Sequence, residues 1–118
     1  DISHMFDGCN SIINLDISHF KTENVKDMSY LFYSCSSLES VDVSNFNTKE
    51  VKDMSFMFAF CSQILSLKVE SFNISKVENM AEMFKAVELT ISTAGTLSDP
   101  SMTPIRNAMV TSSWFLSR

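Results

Sequence analysis

The sequence predicts an α/β repeat solenoid of 26-residue strand–turn–helix units, ending in a divergent C-terminal cap. Three observations carry this expectation. A motif recurs at fixed spacing: Lys21 to Cys35, Asn47 to Cys61 and Asn73 to Phe84 are versions of one another. The apolar period changes once inside each copy. The pattern is then abandoned after residue 86. A fixed period between 20 and 50 residues is the signature of stacked repeats, because a unit this small cannot bury its own apolar face.

The columns of the repeat need no gaps. Phe6, Phe32, Phe58 and Phe84 align, as do Cys9, Cys35 and Cys61; Phe20, Phe46 and Phe72; Val25, Val51 and Val77; and Met28, Met54 and Met80. Within a copy, Leu38, Val41, Val43 and Phe46 alternate at their centre, the period of a short half-buried strand. Lys21–Asn24 is a polar turn. Val25, Met28, Leu31, Phe32 and Cys35 then fall three to four apart, which predicts a short helix with Thr22, Asn24 and Asp27 near its start. Residues 1–86 thus hold about three and a half units.

Residues 87–118 form a C-terminal cap or a loosely ordered tail. Leu89–Ile91 is expected as a last shifted strand and 95–100 as a loop. Thr103-Pro104 is expected to open a helix through Ile105, Ala108 and Met109, since proline is tolerated at the first helical position. Asp1–Phe6 aligns with Asp27–Phe32, so the chain is expected to be a fragment of a longer array, with any export signal or lipid anchor lying upstream.

The segment Leu38 to Cys61 reads LESVDVSNFNTKEVKDMSFMFAFC. It resembles one unit of the BspA-like leucine-rich repeats, which read roughly L..LDLS.F.T..V.DM..MF..C and recur in bacterial surface proteins and mycoplasma lipoproteins. The resemblance covers residues 1–86 and not the tail. It implies a right-handed leucine-rich-repeat-type solenoid in an exported, surface-displayed protein used for adhesion or host-protein binding. The third unit departs from the pattern: Lys68 and Glu70 replace the Asp-x-Ser of the strand, and Ser75-Lys76 precedes the helix. The array therefore decays toward the cap.

Composition narrows the function. The chain has 118 residues, 45% of them hydrophobic, and a net charge of −5. That charge argues against nucleic acid, whose phosphates require a basic face, and no apolar run is long enough to cross a bilayer. The cysteines, 26 apart, lack zinc-ligand spacing and are expected as a ladder of free thiols acting as small apolar groups. His4 and His19 stand in different columns with no nucleophile motif beside either. The tail residues Ser112, Ser113, Trp114 and Arg118 compose no catalytic motif. No enzyme activity, cofactor or metal is expected.

The candidate binding residues lie on the strand face, where Asn14, Ser40 and Ser66, then Asp16, Asp42 and Lys68, then Ser18, Ser44 and Glu70 form three polar columns. Solenoids present such regular surfaces to a protein or glycan ligand. A purely structural spacer or stalk fits the same columns. Phe56 and Phe60 stand apart, because their equivalents vary: His4, Tyr30 and Glu82 in one column, Gly8, Ser34 and Ala86 in the other. With Tyr30 and Tyr33 they are expected either as a partly exposed aromatic patch or as ordinary edge packing. Opposite charges in successive rows (Asp42 and Lys68, Glu23 and Lys49, Glu50 and Lys76, Lys52 and Glu78) are expected to relieve like-charge stacking by tenths of a kcal/mol each.

Overall fold

The computed structural model of the chain describes residues 1–64, 67–87, 103–105 and 107. Among the described residues, regular strand is confined to β1, Asn14–Leu15, and β2, Ser40–Val41. The two pair in parallel, with Asn14 opposite Ser40 and Leu15 opposite Val41. Further along, Asp27 bridges Asp53 and Asp53 bridges Asn79, again in parallel. Residues 26 positions apart are therefore neighbours in space.

The expected α/β, right-handed leucine-rich-repeat-type solenoid of strand–turn–helix units is not what the chain adopts. Residues 25–35, 51–61 and 77–84 are turns with no helix, and among the described residues only Thr103–Ile105 and Asn107 are helical. A helix requires each N–H to reach the carbonyl four residues back. Here every second N–H leaves the segment. Met28, Tyr30, Phe32 and Ser34 donate to the carbonyls of Asp53, Ser55, Met57 and Ala59 at 2.9, 3.0, 2.9 and 2.8 Å. The intervening Leu31, Tyr33 and Cys35 close turns onto Met28, Tyr30 and Phe32 at 3.3, 3.1 and 3.2 Å. Tyr30 and Ser34 have φ of 58° and 61°, the left-handed third position of a type II turn. Two such turns, 28–31 and 32–35, follow one another.

This explains why the apolar spacing read as helical. A turn repeated every four residues buries positions 28, 31, 32 and 35, the same set that a 3.6-residue helix would bury. Met28, Leu31 and Phe32 are fully buried and Cys35 nearly so.

Side chains reinforce the row-on-row arrangement. Phe6, Phe32, Phe58 and Phe84 stack with ring centroids 5.7, 5.3 and 5.8 Å apart and planes within 13° of parallel. The cysteines are free; Cys35 Sγ donates to the Phe6 carbonyl at 3.1 Å and Cys61 Sγ to the Phe32 carbonyl at 3.0 Å. Its sulfur neighbour Cys35 and burial push the Cys61 thiol up, so it stays protonated and unreactive. Thr22 and Thr48 are buried hydroxyls used twice. Each accepts the N–H and donates to the C=O of Asn47 or Asn73, one row on, at 2.7–3.1 Å.

Beyond the repeat, Ile105 is fully buried and belongs to the same core cluster as Phe84 and Val87. The helix expected from Thr103-Pro104 is present at Thr103–Ile105 and Asn107. Its continuation through Ala108 and Met109, the strand at 89–91 and the loop at 95–100 lie outside the described residues.

Candidate functional site

The strand side of the molecule is built by an Asp-x-Ser pattern. After β2 the chain must turn, and Asp42 holds it there. Its Oδ1 accepts the Ser44 N–H at 2.9 Å and the Ser44 hydroxyl at 2.6 Å. Asp16 does the same with Ser18 one row earlier, at 3.0 and 2.7 Å. Such turns occur because a short carboxylate can stand in for a backbone carbonyl two residues on. The serine hydroxyl first, and the backbone N–H second, hold both carboxyls below the usual carboxylate range. Lys68, one row beyond Asp42, adds a further lowering there. Both aspartates are exposed and ionised at neutral pH.

Four of the expected binding residues come together. Ser40, Asp42, Ser44 and Lys68 line a groove of about 460 Å³ with Val41. Ser40 donates its hydroxyl to Asn14 Oδ1 at 2.8 Å, which fixes Asn14 beside it. Asp16 and Ser18 lie one row away on the same side and do not line the groove. Glu70 is exposed and is not part of the lining either. Ser66 lies outside the described residues. Val41, which the sequence offers only as an apolar position of a half-buried strand, was missed as a lining residue. The strand here is only two residues long, so its inward residue is left half-buried. Nothing in the alternation signals so short a strand.

Among the described residues, the expected charge pairs behave unequally. Lys76 Nζ meets both oxygens of Glu50 at 2.9 Å, and that contact holds the Glu50 carboxyl below its usual range. Asp42 with Lys68, Glu23 with Lys49 and Lys52 with Glu78 do not close to ion-pair distance in any of the described rows.

Phe56 and Phe60 sit elsewhere, on the turn segments. Their columns are the left-handed ones: His4, Tyr30, Phe56 and Glu82 have φ between 54° and 62°, and Ser34, Phe60 and Ala86 between 58° and 63°, with Gly8 at 74°. A non-glycine residue there costs about 1–2 kcal/mol; at His4, Tyr30, Ser34, Phe56 and Phe60 an inter-row hydrogen bond from the same residue's N–H offsets that. This is the physical basis of the variable columns, whose side chains leave the strict core. His4, Tyr30 and Phe56 stack face to face at 4.6 and 4.8 Å. Tyr33 leans edge-on against Phe60 at 5.5 Å and against Phe56 at 6.2 Å. Tyr30, Tyr33, Phe56 and Phe60 are half-buried and His4 is exposed, and the rings spend their faces on one another. Also on this surface, His4 Nδ1 and Asp7 Oδ2 are 2.7 Å apart.

No group of three or more His, Cys, Asp or Glu side chains converges on a metal-sized site among the described residues. No helix among them is long and apolar enough to cross a membrane.

Compared with known proteins, residues 1–97 match the family described as Mycoplasma protein of unknown function, DUF285. No curated protein and no solved structure matches the chain.

Proposed function

The chain belongs to this mycoplasma family, and we propose that it is a non-catalytic module that binds a protein or glycan ligand at the cell surface through its strand side. The observation that carries this reading is the groove over β2 and the following row, where Ser40, Asp42, Ser44 and Lys68 gather four polar side chains around Val41. The residues there offer hydrogen bonds and charge; the Ser44 hydroxyl is tied to Asp42 as part of the turn, and no histidine or cysteine is among the described lining residues. A role in adhesion, in a surface-displayed protein of the BspA-like kind, is the reading supported by the resemblance of the repeat motif at 38–61; the family matched over residues 1–97 is described as of unknown function. Nucleic acid is disfavoured as a partner by the charge of −5, and membrane insertion by this segment is not part of the proposal.

The test has two parts. Cells carrying the protein are treated with an impermeant label or with protease, and modification of the intact chain is expected. The purified chain is then screened against immobilised matrix proteins and glycans, alongside a variant carrying Asp42→Asn and Lys68→Met. Binding that the double variant loses supports the module. No ligand in any screen, with surface assembly unaffected by the double variant, would favour a spacer.

A further inference from the structure

We infer that the groove lined by Ser40, Val41, Asp42, Ser44 and Lys68 takes a neutral saccharide, held through neighbouring hydroxyl groups. The inference rests on the reading of the strand side as a binding surface and specifies its ligand.

The hydrogen-bonding inventory of the groove selects the chemistry. The Ser44 hydroxyl gives its proton to Asp42, and the Ser40 hydroxyl gives its proton to Asn14. Both serine oxygens therefore face a ligand as acceptors. Asp42 spends Oδ1 on Ser44, and among the described residues its other oxygen has no donor. Lys68 supplies three N–H donors and no acceptor. Three acceptor oxygens and the three N–H donors of one ammonium therefore meet in the groove, so the ligand must both donate and accept at closely spaced points.

Asp42 and Lys68 stand on opposite sides of a row boundary in the same column, yet do not close on each other. Glu50 and Lys76, separated by the same 26 positions, do close, at 2.9 Å. A carboxylate and an ammonium that share a groove without touching leave room for a group that donates to one and accepts from the other. A hydroxyl does both, and two hydroxyls on adjacent carbons do so without bending the ligand. A sulfate, phosphate or carboxylate would bring acceptors alone and meet one cation against three acceptor oxygens. A cationic ligand would meet Lys68. Neutral polyols are what remain.

The apolar part agrees. Half-buried Val41 is a small hydrophobic floor suited to the C–H face of a sugar ring, and about 460 Å³ lies within the range of small-ligand sites. A protein partner anchors on buried Trp, Tyr or Arg. Among the described residues that line the groove there is none.

The experiment uses the full chain on an array of neutral oligosaccharides, with sialylated and sulfated oligosaccharides and enzymatically deglycosylated matrix proteins as separate arms. Binding to one or more neutral oligosaccharides is expected, competed by the same sugar in solution. Asp42→Asn keeps the Oδ1 acceptor for Ser44, so the turn folds. It is expected to weaken binding about tenfold, the loss of one hydrogen bond to a charged group. Lys68→Met is expected to weaken it similarly, and Glu50→Gln, which also removes a charge but lies outside the groove, to leave it unchanged. Binding confined to anionic glycans or to deglycosylated protein overturns the saccharide assignment and leaves the binding module standing. Binding to nothing on any arm overturns both. Neutral-glycan binding that survives Asp42→Asn and Lys68→Met places the ligand outside this groove and overturns the inference.

Discussion

Replacing Ser34 by glycine separates the turn architecture from the helical one by the sign of a stability change. In a helix, serine to glycine costs a few tenths of a kcal/mol, because glycine is the poorer helix former. Ser34 has φ of 61°, where a Cβ is worth about 1–2 kcal/mol of strain. Its N–H donates to the Ala59 carbonyl at 2.8 Å, a bond that glycine keeps. Relief of strain is partly offset by about 0.5–1 kcal/mol of added entropy in the unfolded chain. The net expectation is stabilisation by about 0.5–1 kcal/mol, or a rise of roughly 2–5 °C in Tm for a chain of this size. Gly8 already occupies the equivalent place in the first row. Urea titration followed by circular dichroism reads the change, with an unchanged slope confirming that the unfolded state is comparable. A loss of stability would refute the left-handed turn at Ser34 and restore a helical backbone there.

Three further outcomes follow from the packing and the titrating groups. Phe58→Ala, which removes a fully buried ring stacked between Phe32 and Phe84, is expected to cost about 3–5 kcal/mol by chemical denaturation, whereas Phe6→Ala, at the half-buried end of the ladder, should cost clearly less. Thr48→Val leaves the N–H and C=O of Asn73 without the hydroxyl that bonds both at 2.7 and 2.9 Å and is expected to cost about 1–3 kcal/mol. On acidification, Asp16, Asp42 and Glu50, whose folded-state pKa values are lowered, contribute stability that is present above the ordinary carboxylate range. That contribution is lost as pH falls below about 4 and through the folded values. A melting-temperature series from pH 6 to pH 2 should fall on that limb, more steeply in low salt than in high, and Asp42→Asn should flatten it.

The polar columns of the strand side were legible; which of their residues share a groove was not. The Asp-x-Ser pattern and its replacement by Lys68 and Glu70 identified the polar columns, and Ser40, Asp42, Ser44 and Lys68 do meet at one groove. That Asp16, Ser18 and Glu70 do not join them could not be read from the columns. A column says which residues align, and the local opening between rows depends on side-chain volumes and on whether a given pair closes. The variable columns at Phe56 and Phe60 were correctly singled out as unlike the core, but the reason was hidden. Variation at a position looks the same whether the side chain is merely exposed or whether the backbone is left-handed.

By itself, the sequence determined the register. Phenylalanine, cysteine, valine and methionine at a strict interval of 26 can bury themselves only by stacking on their own copies, and the Phe6–Phe84 ladder and the parallel bridges at Asp27, Asp53 and Asn79 follow from that interval. Only the tertiary structure decided the conformation inside each row. Apolar residues at positions 28, 31, 32 and 35 satisfy a helix and a pair of four-residue turns equally well. The choice fell to the backbone N–H groups: a neighbouring row places carbonyls within 3.0 Å of every second one, and those bonds, available only once the rows are stacked, remove the donors that a helix would need.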